Sequence, residues 1–136
     1  MSQENVEVLR QGIRALNARD RAALARIMCE DAEWRPALTG GGHLEGAVYR
    51  GVDGIARYFD DLDAEFDNTD VEVETLEPID GDRVFFSGRV HAQGKASGIN
   101  LDVPIWAVWE LRERKIQRGI AFLNEADALE AAGLRE

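Results

Sequence analysis

Two side chains suited to acid–base work stand two residues apart in the segment Val84-Phe85-Phe86-Ser87-Gly88-Arg89-Val90-His91. The segment is rich in Val and Phe, which favours an extended strand, and residues two apart on a strand share a face. Arg89 and His91 are therefore neighbours, with Ser87 and Phe85 in line below them. Facing a cavity, His91 would shuttle a proton near neutral pH, and Arg89 would hold a carboxylate or an enolate-like oxyanion. The adjacent guanidinium would disfavour the imidazolium and lower the pKa of His91. Help of ~10²- to 10⁴-fold from such a group suffices for an easy cyclisation or isomerisation. The opposite face carries Val84, Phe86, Gly88 and Val90. Burial alone turns that set inward and leaves Arg89 and His91 outside.

Other reactive groups point to structure. Cys29 is the only cysteine, which excludes an intrachain disulfide and a cysteine-clustered metal site; it falls on an apolar helical face and reads as a buried thiol. The glycines at 40, 41, 42, 46 and 51 lack the Lys-Ser/Thr ending of a phosphate-binding loop. That loop, 38–51, reads as a flexible rim or lid over a cavity, with His43 solvated inside it. Asp60, Asp61, Asp63, Glu65, Asp67 and Asp70 do not fit the spacing of an EF-hand and read as a solvated face. No metal or cofactor is expected. With 16 basic and 26 acidic residues the net charge is −10, which argues against nucleic acid and anionic membranes as partners.

The elements that must position these groups are legible from periodicity. Ser2 can cap a helix with Val6, Leu9, Ile13 and Leu16 on one stripe, and Asp20 a second with Ala23, Leu24, Ile27 and Met28 inside. Glu33-Trp34-Arg35-Pro36 reads as a short extended piece. Asp53 can cap a third helix with Ile55, Tyr58, Phe59, Leu62 and Phe66 on its inner face. Val71 to Thr75 alternates as a strand, Asp80-Gly81 signals a hairpin, and three β-rich segments between Arg83 and Leu123 form an antiparallel meander. Glu125 to Ala132 reads as a short helix ended by Gly133. The 136 residues suit a single domain, 1–136, with no apolar run of 18 residues and no apolar leader, so a soluble, cytoplasmic protein is expected.

Several local motifs recur in this order: Leu16-Asn17-Ala18-Arg19-Asp20, Cys29-Glu30-Asp31-Ala32-Glu33-Trp34, Tyr49-Arg50-Gly51 with Gly54-Ile55, and Val108-Trp109-Glu110-Leu111 with Lys115-Ile116. Together with the C-terminal Glu125 to Leu134 they resemble the SnoaL-like branch of the nuclear transport factor 2-like proteins, over nearly the whole chain. The resemblance implies an α+β cone, a curved sheet and helices enclosing a pocket, usually as a homodimer. Relatives include ketosteroid isomerases, polyketide cyclases, limonene-type epoxide hydrolases and non-catalytic domains, so the fold leaves the reaction open. Where the ketosteroid isomerases carry an Asp base, a Tyr and an Asp, local alignment places Pro36, Gly12 and Ala107. The polyketide-cyclase Asp also falls on Ala107. The Arg, Asp and Asp of the epoxide hydrolases fall on Arg89, His91 and Ala121, which implies a cavity-facing Arg89–His91 pair.

The resulting expectation is a mainly apolar pocket shaped by Trp34, Tyr58, Phe59 and Leu62, with Ala107 and Ala121 leaving volume for a small hydrophobic or polyketide-like molecule. Cofactor-independent cyclisation, isomerisation or epoxide opening would use His91 and Arg89. A non-catalytic ligand carrier and a protein-interaction module are the competing functions. Trp106 and Val108, on the outward face of their strand, form an exposed patch expected to join a homodimer.

Overall fold

The computed structural model describes residues 2–37 and 48–134. Residues 38–47, which hold His43 and most of the glycine-rich segment, lie outside the described residues. Among those described, four helices and six strands follow in the order α1 Ser2–Ala18, α2 Arg21–Arg26, β1 Met28–Arg35, β2 Tyr49–Arg50, α3 Gly51–Glu65, β3 Phe66–Pro78, β4 Arg83–Gly94, β5 Asn100–Arg112, β6 Lys115–Phe122 and α4 Glu125–Ala132. The strands make one open sheet in the order β2-β1-β6-β5-β4-β3. The β1–β6 pair is parallel and all others are antiparallel. The protein is an α+β fold of the expected type.

The periodic faces become the core. Val6, Leu9 and Ile13 of α1 and Ile55, Tyr58 and Leu62 of α3 are buried toward the sheet, and Phe59 is buried on the side of Arg19 and Arg21. Each large apolar side chain removed from water contributes roughly 1.5–3 kcal/mol. Asp20 caps α2 by accepting from the Ala23 amide at 3.0 Å. The acidic run on α3 is partly paired. Asp60 binds Arg21 at 2.6 Å and Asp63 binds Arg19 at 3.1 Å, so two of its carboxylates tie α3 to the α1–α2 turn.

Four expectations about element limits change. Ile27 and Met28 do not extend α2. The Ile116 amide donates to Ile27 O, and Met28 pairs with Ile116, so sheet pairing captures these residues and places the buried Cys29 on a strand rather than a helix. Phe66 opens β3 instead of closing α3, because pairing with Gly94 begins there. Tyr49 and Arg50 add a short edge strand to β1. Asp80-Gly81 is not a two-residue hairpin; Asp80 accepts from the amides of Asp82 and Arg83 and holds a longer turn.

The outer face of the sheet is also covered differently from expectation. Val108 is buried in a cluster with Phe85, Ala128 and Ala132, against which Trp106 packs half-buried. Helix α4 lies over this part of β5, so Trp106 and Val108 are not an open patch. Gly133 ends that helix at φ 74, a left-handed position that suits glycine.

Asn17 joins α1 to the far edge of the sheet. Its Nδ2 donates to Val71 O at 2.9 Å and its Oδ1 accepts from Val71 N at 2.8 Å, completing both backbone groups of that strand residue. Replacing Asn17 by Ala strands both, and the expected loss is about 1–3 kcal/mol of unfolding free energy in a urea titration.

Candidate functional site: an apolar cavity with a tryptophan stack

The cavity lies between α1, α3 and the inner face of the sheet. Leu9, Gly12 and Ile13 of α1 and Ile55, Tyr58 and Leu62 of α3 form one side, and Trp34, Phe86, Ala107, Trp109 and Ala121 form the other. Its volume is about 100 Å³. That is below the ~300–1,000 Å³ of sites for drug-sized ligands.

Its wall depends on one glycine. Trp34 of β1 and Trp109 of β5 both pair with Gly119 of the intervening β6. A Cβ at Gly119 would clash with the Cε3, Cζ3 and Cη2 edge of the Trp109 ring. With nothing there, the two indoles lean over β6 and stack at a centroid separation of 4.9 Å and an interplanar angle of 4°. Tyr58 meets Trp34 edge-on at 5.8 Å. Such pairs add about 0.5–1.5 kcal/mol each beyond area burial. Ala107 and Ala121 are cross-strand partners beside the stack, and their small side chains leave the space open.

The polar groups at the wall are few. Nε1 of Trp34, Nε1 of Trp109 and Oγ1 of Thr69 are buried from solvent, and the Trp34 indole interacts with the Tyr58 hydroxyl. Thr69 reaches the wall because a bulge between Asp67 and Asp70, with Asn68 at φ 58, breaks the alternation of β3. Burial pushes the Tyr58 phenol up to about 12. The nearby indole N–H of Trp34 and the charge of Arg19 offset part of that rise. Glu33 is the one carboxylate among the described lining residues, 33% exposed and 3.8 Å from Arg50.

Of the residues expected to shape a pocket, Trp34, Tyr58, Leu62, Ala107 and Ala121 line this cavity. Phe59 is not there. One position along a helix turns a side chain by about 100°, so Tyr58 faces the cavity while Phe59 is fully buried toward Arg19 and Arg21, whose guanidinium carbons lie 5.7 and 5.6 Å from its ring centroid. Trp109, Thr69 and Glu33 were missed. Trp109 lies two residues from Ala107 on β5 and shares its inner face, and that alternation was the available signal. Gly12, Pro36 and Ala107 all line the cavity, and none can transfer a proton.

The cavity-facing alternative for Arg89 and His91 is overturned. Phe86 and Val90 take the inner face, and the pair stands on the outer one, where the apolar set could not be satisfied. Arg89 binds Asp102 at 2.6 Å, and His91 Nε2 lies 2.9 Å from Glu72. The pKa of His91 is raised, not lowered: the hydrogen bond to Glu72 is the largest cause, burial opposes it next, and the charges of Asp102, Glu72 and Asp70 add to the rise. Asp102 also holds the Arg89 guanidinium, which no longer governs the imidazole.

The described residues define an α+β fold of four helices on one open six-stranded mixed sheet. A family model for SnoaL-like domains matches residues 9–119, and the chain belongs to that family. Solved structures agree on a nuclear transport factor 2-like, ketosteroid isomerase-like fold. Bal32a, from a soil-derived mobile gene cassette, is 23% identical, with 96% of each chain covered and a TM-score of 0.78. TerC, co-crystallised with polyporic acid, is 20% identical over 96% of this chain and 98% of its own, with a TM-score of 0.77. A candidate polyketide cyclase from Pseudomonas putida KT2440 is 20% identical over 93% of this chain and 96% of its own, with a TM-score of 0.73. No curated protein sequence matches the chain. No helix among the described residues is long and apolar enough to cross a membrane.

Two outcomes follow from this geometry. Gly119→Ala drives a methyl group into Trp109 and should cost about 1–3 kcal/mol in a denaturant titration, with loss of the near-UV circular dichroism of the stacked indoles. For His91, a folded-state pKa above the ordinary 6.5 means its stabilisation is complete below that value and is lost as pH rises through the raised one. Proton NMR should find the His91 pKa above 6.5 in the native chain and lower in Glu72→Gln.

Proposed function

We propose that the protein binds a small, uncharged, mainly apolar molecule in the cavity between α1, α3 and the sheet. The observation that carries this is the wall itself. Apolar side chains surround a compact space, and the positions where enzymatic relatives place acids hold Gly12, Pro36, Ala107 and Ala121. The outward position of Arg89 and His91 removes the acid–base pair expected there and favours a ligand carrier or sensor. TerC with polyporic acid supplies a fold-level parallel for small-molecule binding. Association as a homodimer and a cytoplasmic location belong to the same proposal, with the outer surface of β3 and β4 as the remaining open part of the sheet.

Glu33 supports a second function, isomerase- or cyclase-type chemistry on the bound molecule, because it is the one carboxylate among the described lining residues, with Arg50 and Arg35 at 3.8 and 4.0 Å. The polyketide-cyclase relatives fit this function at the level of fold.

Calorimetric titration with small cyclic hydrocarbons and ketones tests the pocket. Binding is expected in the native chain and should vanish in Ala121→Phe, whose ring fills the cavity while the fold persists by circular dichroism. Failure of every compact apolar compound to bind would overturn the proposal. Deuterium exchange next to the carbonyl of a bound ketone separates the two functions. Exchange that falls about 10²- to 10⁴-fold in Glu33→Gln would establish the enzyme, and its absence with binding intact would establish the carrier.

A further inference from the structure

We propose that the bound molecule is longer than the cavity and carries an apolar arm, which leaves the enclosed space past Leu101 and lies along the β4–β5 lip as far as Ile99. The assignment rests on the apolar-pocket function above and adds the shape of its ligand.

The inner stripe of β5 passes from core to solvent without a polar interruption. Ala107 and Ile105 are buried and Val103 and Leu101 half-buried. Ile99, just before the strand, is 62% exposed, the most exposed large apolar side chain among the described residues. The outward positions Asn100, Asp102 and Pro104 are exposed as well, so the alternation holds to the tip. Leu101 belongs to the cavity wall and yet is partly exposed, as is Phe66 of β3, so the wall opens at this end. One exposed isoleucine is ordinary on a protein surface. A stripe that begins as a cavity wall and fades into solvent is continuous with the site, which points to the cavity's own ligand as its cover.

Register and hydrogen bonds hold this lip in place. Ala92 and Gln93 of β4 pair with Leu101 and Asn100, and the Gly94 amide donates to Ile99 O at 2.9 Å, which carries the register one step further. Gly94 also pairs with Phe66, so Phe66, Gly94 and Ile99 make one row with no side chain at its centre. A Cβ at Gly94 would meet Ser97 Oγ at 2.7 Å, so a hydroxyl closes the row at its tip. The Lys95 amide donates to Glu65 O at 3.0 Å and ties the tip to the end of α3. A surface held in this way is pre-organised, which lowers the cost of ordering it on binding. From Leu101 to Ile99 it extends about 7 Å at the rise of a strand. Size points the same way, because a cavity of about 100 Å³ takes only part of a drug-sized molecule and the lip supplies further apolar area.

The test uses cyclohexanone and 4-butylcyclohexanone, which share a ring and differ only in the arm. Isoleucine methyl resonances are followed by ¹³C NMR in the native chain, where Ile13, Ile55 and Ile105 line the cavity and Ile79 packs outside it. Both probes are expected to move the cavity isoleucines and neither to move Ile79, whereas only 4-butylcyclohexanone should move Ile99. Its affinity should exceed that of cyclohexanone about tenfold or more, and that advantage should fall about threefold or more in Ile99→Asp. Ile99 is exposed, so the variant should keep its fold by circular dichroism, and the native-chain spectra stand without it. Binding of both probes with Ile99 unmoved, or an advantage that Ile99→Asp leaves unchanged, would overturn the arm and leave the apolar pocket standing. So would a sedimentation mass that halves in Ile99→Asp, which would give the lip to a second copy of the chain. Binding of neither probe would overturn both.

Discussion

Two indole rings stacked face to face across a strand that has no side chain between them set the geometry of this protein. Trp34 and Trp109 belong to strands on either side of β6, and they meet because Gly119 stands at the shared register. A side chain there would hold the rings apart and fill the floor of the cavity. The helices answer the same constraint from above. Gly12 brings α1 close to the sheet, where a Cβ would lie 3.3 Å from Ile116 and Ile27, and α3 lowers Tyr58 onto the edge of Trp34. Ala107 and Ala121 then keep the space next to the stack empty.

The two faces of the sheet divide the labour. Inside, the wall formed by the described residues is almost wholly apolar. Outside, β3, β4 and β5 carry a mesh of paired charges. Arg89 holds Asp102, His91 meets Glu72, and Thr75 shares a 2.6 Å hydrogen bond with Ser87. These groups are solvent-exposed, so their pairing contributes modestly to stability. They do fix which way β4 faces, since inverting it would bury Arg89 and His91 among the apolar side chains of α1.

The sequence carried most of the fold because its signals were local. The stripes on α1 and α3, the meander and the Gly133 helix end all rest on short-range periodicity, and each is present. Limits failed where pairing partners were distant. Met28 has a helical neighbourhood but joins β6 some ninety residues later, and no local pattern encodes that. The facing of Arg89 and His91 was settled by the apolar alternation of Phe86 and Val90, whereas analogy with epoxide hydrolases pointed the opposite way. Alternation also put Val108 on the outer face correctly, but could not show that α4 would fold back to cover it. The tryptophan stack was the least legible feature. It needs a parallel β1–β6 register that brings Trp34, Gly119 and Trp109 into one row, and only the assembled sheet contains that row.

The central claim is that Trp34 and Trp109 form one stack across Gly119 with their indole N–H groups shielded from solvent. Hydrogen–deuterium exchange of the indole N–H resonances tests it most directly. The account predicts slow exchange for both Trp34 and Trp109. Exchange as fast as that of a free indole at either ring would contradict it.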